Sequence, residues 1–452
     1  MNQNARAISL LLLIPLTLIL VALACQSSDN APEAPESNQE NKEPKNNEQQ
    51  EEELAPALEV TGEEIVILSS NASQDIFGEW SIHGLMQNTA DYPVGVVEIR
   101  LEALNAGGNL LYENTIFSAS YGITPDGIFP FHINTLERFD EIDKITAEVV
   151  NLQRFEADVA SVEISSVSHS INDSGDALIV GEIVNNSDHQ VYIHTVAGAL
   201  FDLNDEILVA ATCDVCVKDL APGESGPFRI LLIGFSLQES NISEQAIYLF
   251  AENVPTIPAP NVTVADSFYG FTDMMNNVHV FGEITNTNSD PISVSLLGTA
   301  YDSNGNMVNA ARYSLPFPYI SAGETVPFEL VFGGPYTTPD IQSWNIQPEM
   351  TTEQQAAADY FSLPTTNSEF KAVGGLGSFT GVVENATEQT LSQVTVILVL
   401  RQKSTNKIVG IGDIDLWDQL PVNGELEYSI IIPIEEGFSI DSVQWETYAF
   451  GR

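Results

Sequence analysis

Cationic side chains are scarce: 15 Lys and Arg stand against 63 Asp and Glu in 452 residues, a formal net charge of −48. A phosphate backbone is gripped by clustered Lys and Arg, so nucleic acid is excluded as a partner. Cysteine is nearly absent as well, with Cys25, Cys213 and Cys216 the complete set. A disulfide framework is therefore excluded as the basis of the fold, and the core must be apolar. No glycine-rich loop runs from a strand into a helix, which removes the usual phosphate cradle. No G-x-S-x-G elbow is present, and the six histidines (83, 132, 169, 189, 194 and 279) follow no repeated register. Nothing thus marks a serine nucleophile with its base, and no catalytic residue is assigned. Long 3.6-residue periodicity is missing too, which argues against helices.

One long apolar run does occur, "LLLLIPLTLILVA", after a start carrying the single charge of Arg6. It is too short and too abruptly ended for a spanning helix. It closes on "VALAC", small residues leading to Cys25. The arrangement resembles a bacterial lipoprotein signal, residues 1–24. That resemblance implies lipid on Cys25 and a place on the extracytoplasmic face of the cell membrane. Residues 25–57 are polar and acidic, with almost no large apolar side chains. Such a stretch buries too little surface to offset its ordering entropy and is expected to be a disordered tether. Acidic excess continues through the rest of the chain, which favours solubility and repels other acidic surfaces.

Beyond the tether the chain repeats itself. Gly84, Gly181, Gly282 and Gly381 are separated by 97, 101 and 99 residues, and Asn88, Asn185, Asn286 and Asn385 follow them at constant spacing. The local strings are "HGLMQNTAD", "VGEIVNNSD", "FGEITNTNSD" and "TGVVENATE". Next come "EALNAGGNLL", "ALFDLNDEIL", "TAYDSNGNMV" and "LVLRQKSTNKIV", each an apolar run, a tight polar turn and a second run, the pattern of a hairpin. Then "TPDGIFPF", "APGESGPF", "SAGETVPF" and "PVNGELEY" lead into a further strand, and "KITAEVVNL", "AIYLFAENV", "QSWNIQ" and "VQWETYAF" end the units. β-Branched and aromatic runs between Gly, Asn, Asp and Pro predict an all-β chain: four tandem immunoglobulin-like antiparallel β-sandwich domains of about seven strands. The expected bounds are 58–155, 156–255, 262–347 and 368–452, with a linker over 348–367 in which "TTEQQAAADYF" has the composition for a helical turn. "NVPTIPAPNV" (253–262) reads as a stiff spacer, and the four units as beads in a row. The recurring Asn suits a turn, where its side chain caps nearby backbone, and the recurring Gly suits close packing within a strand.

The units resemble FxLYD-type domains through "GALFD" (198–202) and "GTAYD" (298–302), each followed by a turn and then "PGES" or "AGET". The first and fourth copies have "LEALN" and "ILVLR" at that place and belong by register. The resemblance implies an immunoglobulin-like fold at the cell surface and carries no catalytic residues.

"CDVC" (213–216) is the sharpest chemical candidate. A local disulfide between Cys213 and Cys216 in an oxidising compartment is the preferred reading. A zinc site with His189 or His194, or redox work, stays open, although structural zinc wants four ligands. "DLNDE" (202–206) and "DSNGN" (302–306) alternate oxygen side chains as a calcium loop begins, but Met307 and Tyr313 occupy the positions that such a loop gives to Gly and Glu, so hairpin turns are expected. No metal or cofactor is assigned. Trp80, Trp344, Trp417 and Trp445 suit a carbohydrate face, although alternation favours core packing for Trp344 and Trp445. The reading is a lipid-anchored binding or adhesion protein whose partner is an envelope protein or glycan. The alternatives are a passive envelope spacer and a redox or metal protein using Cys213 and Cys216.

Overall fold

The computed structural model describes residues 64–74, 78–118, 122–134, 142–156, 158–256, 261–265, 268–333, 341–350, 360–373, 375–435 and 439–452. Cys25, the signal segment and the tether lie outside the described residues. Glu59–Arg452 is one compact unit by its backbone contacts.

The described residues are β-strands joined by turns, with no α-helix among them. Strand pairing divides them into four successive segments. The first holds β1 (Ile65–Gln74), β2 (Trp80–Asn88), β3 (Val94–Leu104), β4 (Leu110–Phe117), β5 (Ile128–Asn134) and β6 (Lys144–Arg154). The second holds β7 (Val162–Ile171), β8 (Ala177–Asn185), β9 (Gln190–Phe201), β10 (Ile207–Thr212), β11 (Val215–Cys216), β12 (Asp219–Leu220), β13 (Ser225–Leu232) and β14 (Glu244–Val254). The third holds β15 (Val262–Val264), β16 (Tyr269–Thr272), β17 (Val278–Asn286), β18 (Val294–Tyr301), β19 (Met307–Ser314), β20 (Thr325–Phe332) and β21 (Ser343–Met350). The fourth holds β22 (Phe361–Ser362), β23 (Thr365–Val373), β24 (Leu376–Glu384), β25 (Val394–Gln402), β26 (Ile408–Leu416), β27 (Glu425–Pro433) and β28 (Val443–Gly451).

Each segment builds two antiparallel sheets. In the first they are β1-β2-β5 and β4-β3-β6, and the other segments repeat this order with short added strands. That is the A-B-E sheet of an immunoglobulin-like sandwich facing a C′-C-F sheet. Both sheets feed one core: Ile82, Met86, Phe129 and Phe131 meet Ile99, Leu101 and Leu152 in the first segment. The expected hairpins form, β3 with β4, β9 with β10, β18 with β19 and β25 with β26.

The repeated landmarks are pieces of one device. Each repeated Gly lies directly across from the aromatic at the fourth position of the later strand: Gly84 from Phe131, Gly181 from Phe228, Gly282 from Phe328 and Gly381 from Tyr428. The ring lies over the glycine, so that a Cβ on Gly282 would sit 2.5 Å from the Phe328 ring. Each repeated Asn is at most 1% exposed. Asn286 Nδ2 donates to the Asp290 and Ile320 carbonyls at 2.9 and 2.8 Å, and its Oδ1 accepts the Asn288 N–H at 2.8 Å. Asn88, Asn185 and Asn385 make the same three bonds. The turn each reaches has a left-handed residue, Asp126, Gly223, Gly323 or Asn423, residue types that tolerate positive φ.

The stretch 348–367, expected as a linker, begins inside β21 and ends inside β23, with β22 pairing the chain's last strand. Phe361, Thr365 and Thr366 extend the flanking sheets, and its helix candidate falls mostly outside the described residues. The 253–262 spacer is described at its ends, as the close of β14 and the start of β15.

Asn286→Ala should cost about 2–4 kcal/mol, because two buried carbonyls and one N–H lose their partner. Urea unfolding should show a lower midpoint for it. Gly282→Ala should cost about 1–3 kcal/mol through overpacking, and Phe328→Leu in the same chain should recover part of that loss.

Candidate functional site

Cys213 and Cys216 are bonded to each other, with Cα atoms 6.0 Å apart. The bond spans the exit of β10, and β11 then pairs with β13. β12 follows rather than a helix N-terminus, so the usual device that activates a C-x-x-C thiolate is missing. The histidines weighed as co-ligands turn elsewhere: His194 meets Glu252 at 2.8 Å and His189 meets Asp188 at 2.7 Å. Asp214, between the two cysteines, pairs with Arg229. Among the described residues no three His, Cys, Asp or Glu side chains gather as metal ligands do.

What the disulfide loop touches is the next segment. Arg312 donates to the Cys216 carbonyl at 2.9 Å and pairs with Glu349, whose other oxygen accepts the Lys218 N–H at 3.0 Å. Arg229 reaches Asn309 at 3.2 Å, and Tyr301 donates to Glu182 at 3.1 Å. Val215, Cys216 and Val217 share one buried cluster with Leu297, Met307 and Ala310. The chemistry singled out in the sequence thus lies at a joint.

The other two joints are also built from packed side chains, so the units read as beads in a row share buried contacts. Where the first and second segments meet, His83 and His132 stack with ring centres 4.8 Å apart, and Phe235 stands edge-on to both. His83 Nδ1 accepts the Ala210 N–H at 3.2 Å and its Nε2 faces Ser73 Oγ at 3.2 Å, which suits the neutral ring. Burial, and then the neighbouring His132, hold His83 well below the usual histidine range, and burial lowers His132 as well.

Between the third and fourth segments, Ile397, Val399, Ile408 and Ile411 join the third segment's core. Phe317 packs against Tyr448 and Phe450, and Arg401 pairs with Glu283 at 2.9 Å. Beside this joint lies a buried Asp-His-Glu cluster. His279 Nδ1 meets Glu329 at 2.5 Å, its Nε2 meets Asp273 at 3.2 Å, and Phe271 stacks on the ring. Burial pulls the His279 pKa down, but the two carboxylates outweigh it and the net shift is upward. Burial raises Glu329 against the pull of His279, and Asp413 of the fourth segment adds to the rise. For Asp273, burial is outweighed by bonds from Asn277, His279 and Met275, and its pKa falls. His279 thus has a carboxylate at each ring nitrogen. With both ring nitrogens engaged, His279 has none free to activate a nucleophile.

The remaining candidates are accounted for locally. Asp202 and Asp302 each accept two backbone N–H groups within their own hairpin turns. Trp344 packs near Phe268, and Trp445 rests on Phe370 and Phe379 while 38% exposed. Trp80 opens β2 and is half-buried, whereas Trp417 is 69% exposed. His169 meets Gln245 and Glu239. The joint roles of His83 and His279 were hidden from sequence reading, since neither stands at a repeated position.

No family model and no characterised protein matches the sequence. Solved structures with some likeness include native Escherichia coli alpha-2-macroglobulin, 10% identical over 84% of this chain and 28% of that one, TM-score 0.12. A Salmonella alpha-2-macroglobulin is 10% identical over 86% and 31%, TM-score 0.12. A β-glucuronidase of glycoside hydrolase family 2 is 10% identical over 73% and 30%, TM-score 0.12. The chain spans about a third of the length of these proteins, and likeness this slight carries no functional argument.

The two histidine sites should respond to acid in opposite senses. His83 and His132 have lowered folded pKa values, so their contribution is present above the unfolded value, about 6.5, and is lost as pH falls below it. His279 is raised, so its contribution is full below about 6.5 and is lost as pH rises through the folded value. Hydrogen-exchange protection factors, which remove the intrinsic slowing of exchange in acid, should therefore fall in β2 and rise in β17 on acidification from about pH 8 to about pH 5.5, and His279→Gln should abolish the second effect. Replacing Cys213 and Cys216 together by Ser should cost about 2 kcal/mol for so short a loop, with faster exchange in β11 and β19.

Proposed function

We propose that the chain is a lipid-anchored extracytoplasmic protein without enzymatic activity, whose tandem FxLYD-like modules hold a binding surface away from the membrane. Lipid on Cys25 anchors it, and the acidic tether of residues 25–57 sets its reach. The observation that carries the reading is the construction of the joints. Leu297, Met307 and Ala310 complete the second segment's core, and Ile397, Val399, Ile408 and Ile411 complete the third's. Buried area shared between successive modules resists bending, which suits a protein that must present a surface at a set distance. An all-β body whose most catalytic-looking histidine is held between two carboxylates supports a role in contact rather than chemistry.

The same joints favour a second reading, a spacer that binds nothing specific within an envelope assembly. The two differ on glycan and envelope-protein arrays, where a binding protein gives a saturable ligand and a spacer gives none.

Anchoring has its own test. Cells fed a labelled fatty acid should label the natural chain, and Cys25→Ala should lose both the label and the membrane fraction. Retention of the variant in membranes would overturn the anchoring.

A further inference from the structure

The outer face of the β4-β3-β6 sheet carries a groove of about 440 Å³ lined by Val96, Glu98, Phe117, Ser118, Asn151 and Gln153. Register explains its floor. Glu98 pairs with Phe117 of β4 on one side and with Asn151 of β6 on the other, so the three stand in a row across three strands, about 5 Å apart. Two register shifts in the β3–β6 pairing, between Val94 and Val97 and between Glu98 and Ile99, flank the carboxylate. Such bulges bend a strand and re-aim its side chains.

Two features of this row are not explained by folding. Phe117 is 69% exposed, at odds with the usual burial of a phenyl ring. The side chains of Glu98, Asn151 and Gln153 line the groove with no hydrogen-bond or ion-pair partner among the described residues. By contrast, Arg100, two residues from Glu98, is already paired with Glu148.

We propose that this groove binds an arginine side chain of a basic partner segment. The proposal rests on the binding reading above and names its partner chemistry. A guanidinium stacks on a phenyl face by cation–π attraction and offers a planar fork of N–H donors. The Phe117 ring supplies the face, the Glu98 carboxylate accepts the fork, and the Asn151 and Gln153 amide oxygens accept the outer N–H groups. Charge selects the same class: 63 acidic against 15 basic residues draw cations toward the surface and repel phosphates and acidic sugars. The groove has no cation among its lining residues to hold an anion.

The test is fluorescence anisotropy of the full chain with a labelled tetra-arginine peptide, with tetra-lysine, tetra-glutamate and a neutral chito-oligosaccharide as comparisons. Arginine should bind tightest and weaken from ~50 to ~300 mM salt. Phe117→Ala and Glu98→Gln should each weaken it at least about threefold, while Phe117→Trp should bind as well or better. Circular dichroism melting, unchanged in all three, separates lost contacts from lost fold. The proposal is overturned if the tetra-arginine peptide fails to bind. It is also overturned if it binds all variants alike, as diffuse attraction to the acidic surface would, or if the neutral oligosaccharide alone depends on Phe117. A ligand found on the arrays that ignores this groove would leave the binding reading standing, so the two fail separately.

Discussion

A buried asparagine that ends β2, β8 and β17 and directly follows β24 is the contact on which each module depends. The site asks for two donors and one acceptor in a space sealed from water: carbonyls at the near turn and at the turn before the later strand, and an N–H two residues on. Only an amide side chain supplies that set. Aspartate has no donor and serine only one. The backbone of the same residue closes the link, since the Asn286 N–H donates to the Glu324 carbonyl and the Gly323 N–H to the Asn286 carbonyl. With the two turns tied together, the strands that follow are in register, and each glycine meets its aromatic.

Electrostatics explains how so acidic a body packs against itself. Among its few cations, Arg229, Arg312 and Arg401 all lie at joints and engage carboxylates there. Their guanidinium groups also reach neutral acceptors such as Asn309 and the Cys216 carbonyl. Planar forks of this kind serve several partners from one partly desolvated position. Pairing at a joint therefore uses charge where it counters repulsion most. The histidines complement this, one pair with pKa values lowered by burial and one ring with its pKa raised by the acids on either side.

Much of the module was legible in the sequence because its signals are local. Gly, Asn, hairpin turn and aromatic recur in order, and each marks a turn or a strand whose hydrogen bonds close within one segment. The reading of Asn185 and its equivalents as turn residues is right in kind and short in reach, since one of the three side-chain bonds they share goes to a turn in another part of the segment. The joints were not legible. Leu297, Met307 and Ala310 look like ordinary core residues of their own strands, and no periodicity says that they face the preceding module. His83 and His279 stand at different offsets from their glycines, so comparing copies hides them. The groove was invisible for a similar reason: Phe117, Glu98 and Asn151 belong to three strands, and bulges decide that they share a face.

By itself the amino-acid order determined an all-β chain of repeated modules, poor in cations and stapled at most once. Those properties follow from patterns complete within a few tens of residues. Only the tertiary structure decided that successive modules share buried cores, that the cysteine pair sits at a joint, and that an exposed phenylalanine stands beside an unpaired carboxylate. Such contacts join residues far apart in sequence, and each occurs once, so no repetition in the chain could have announced them.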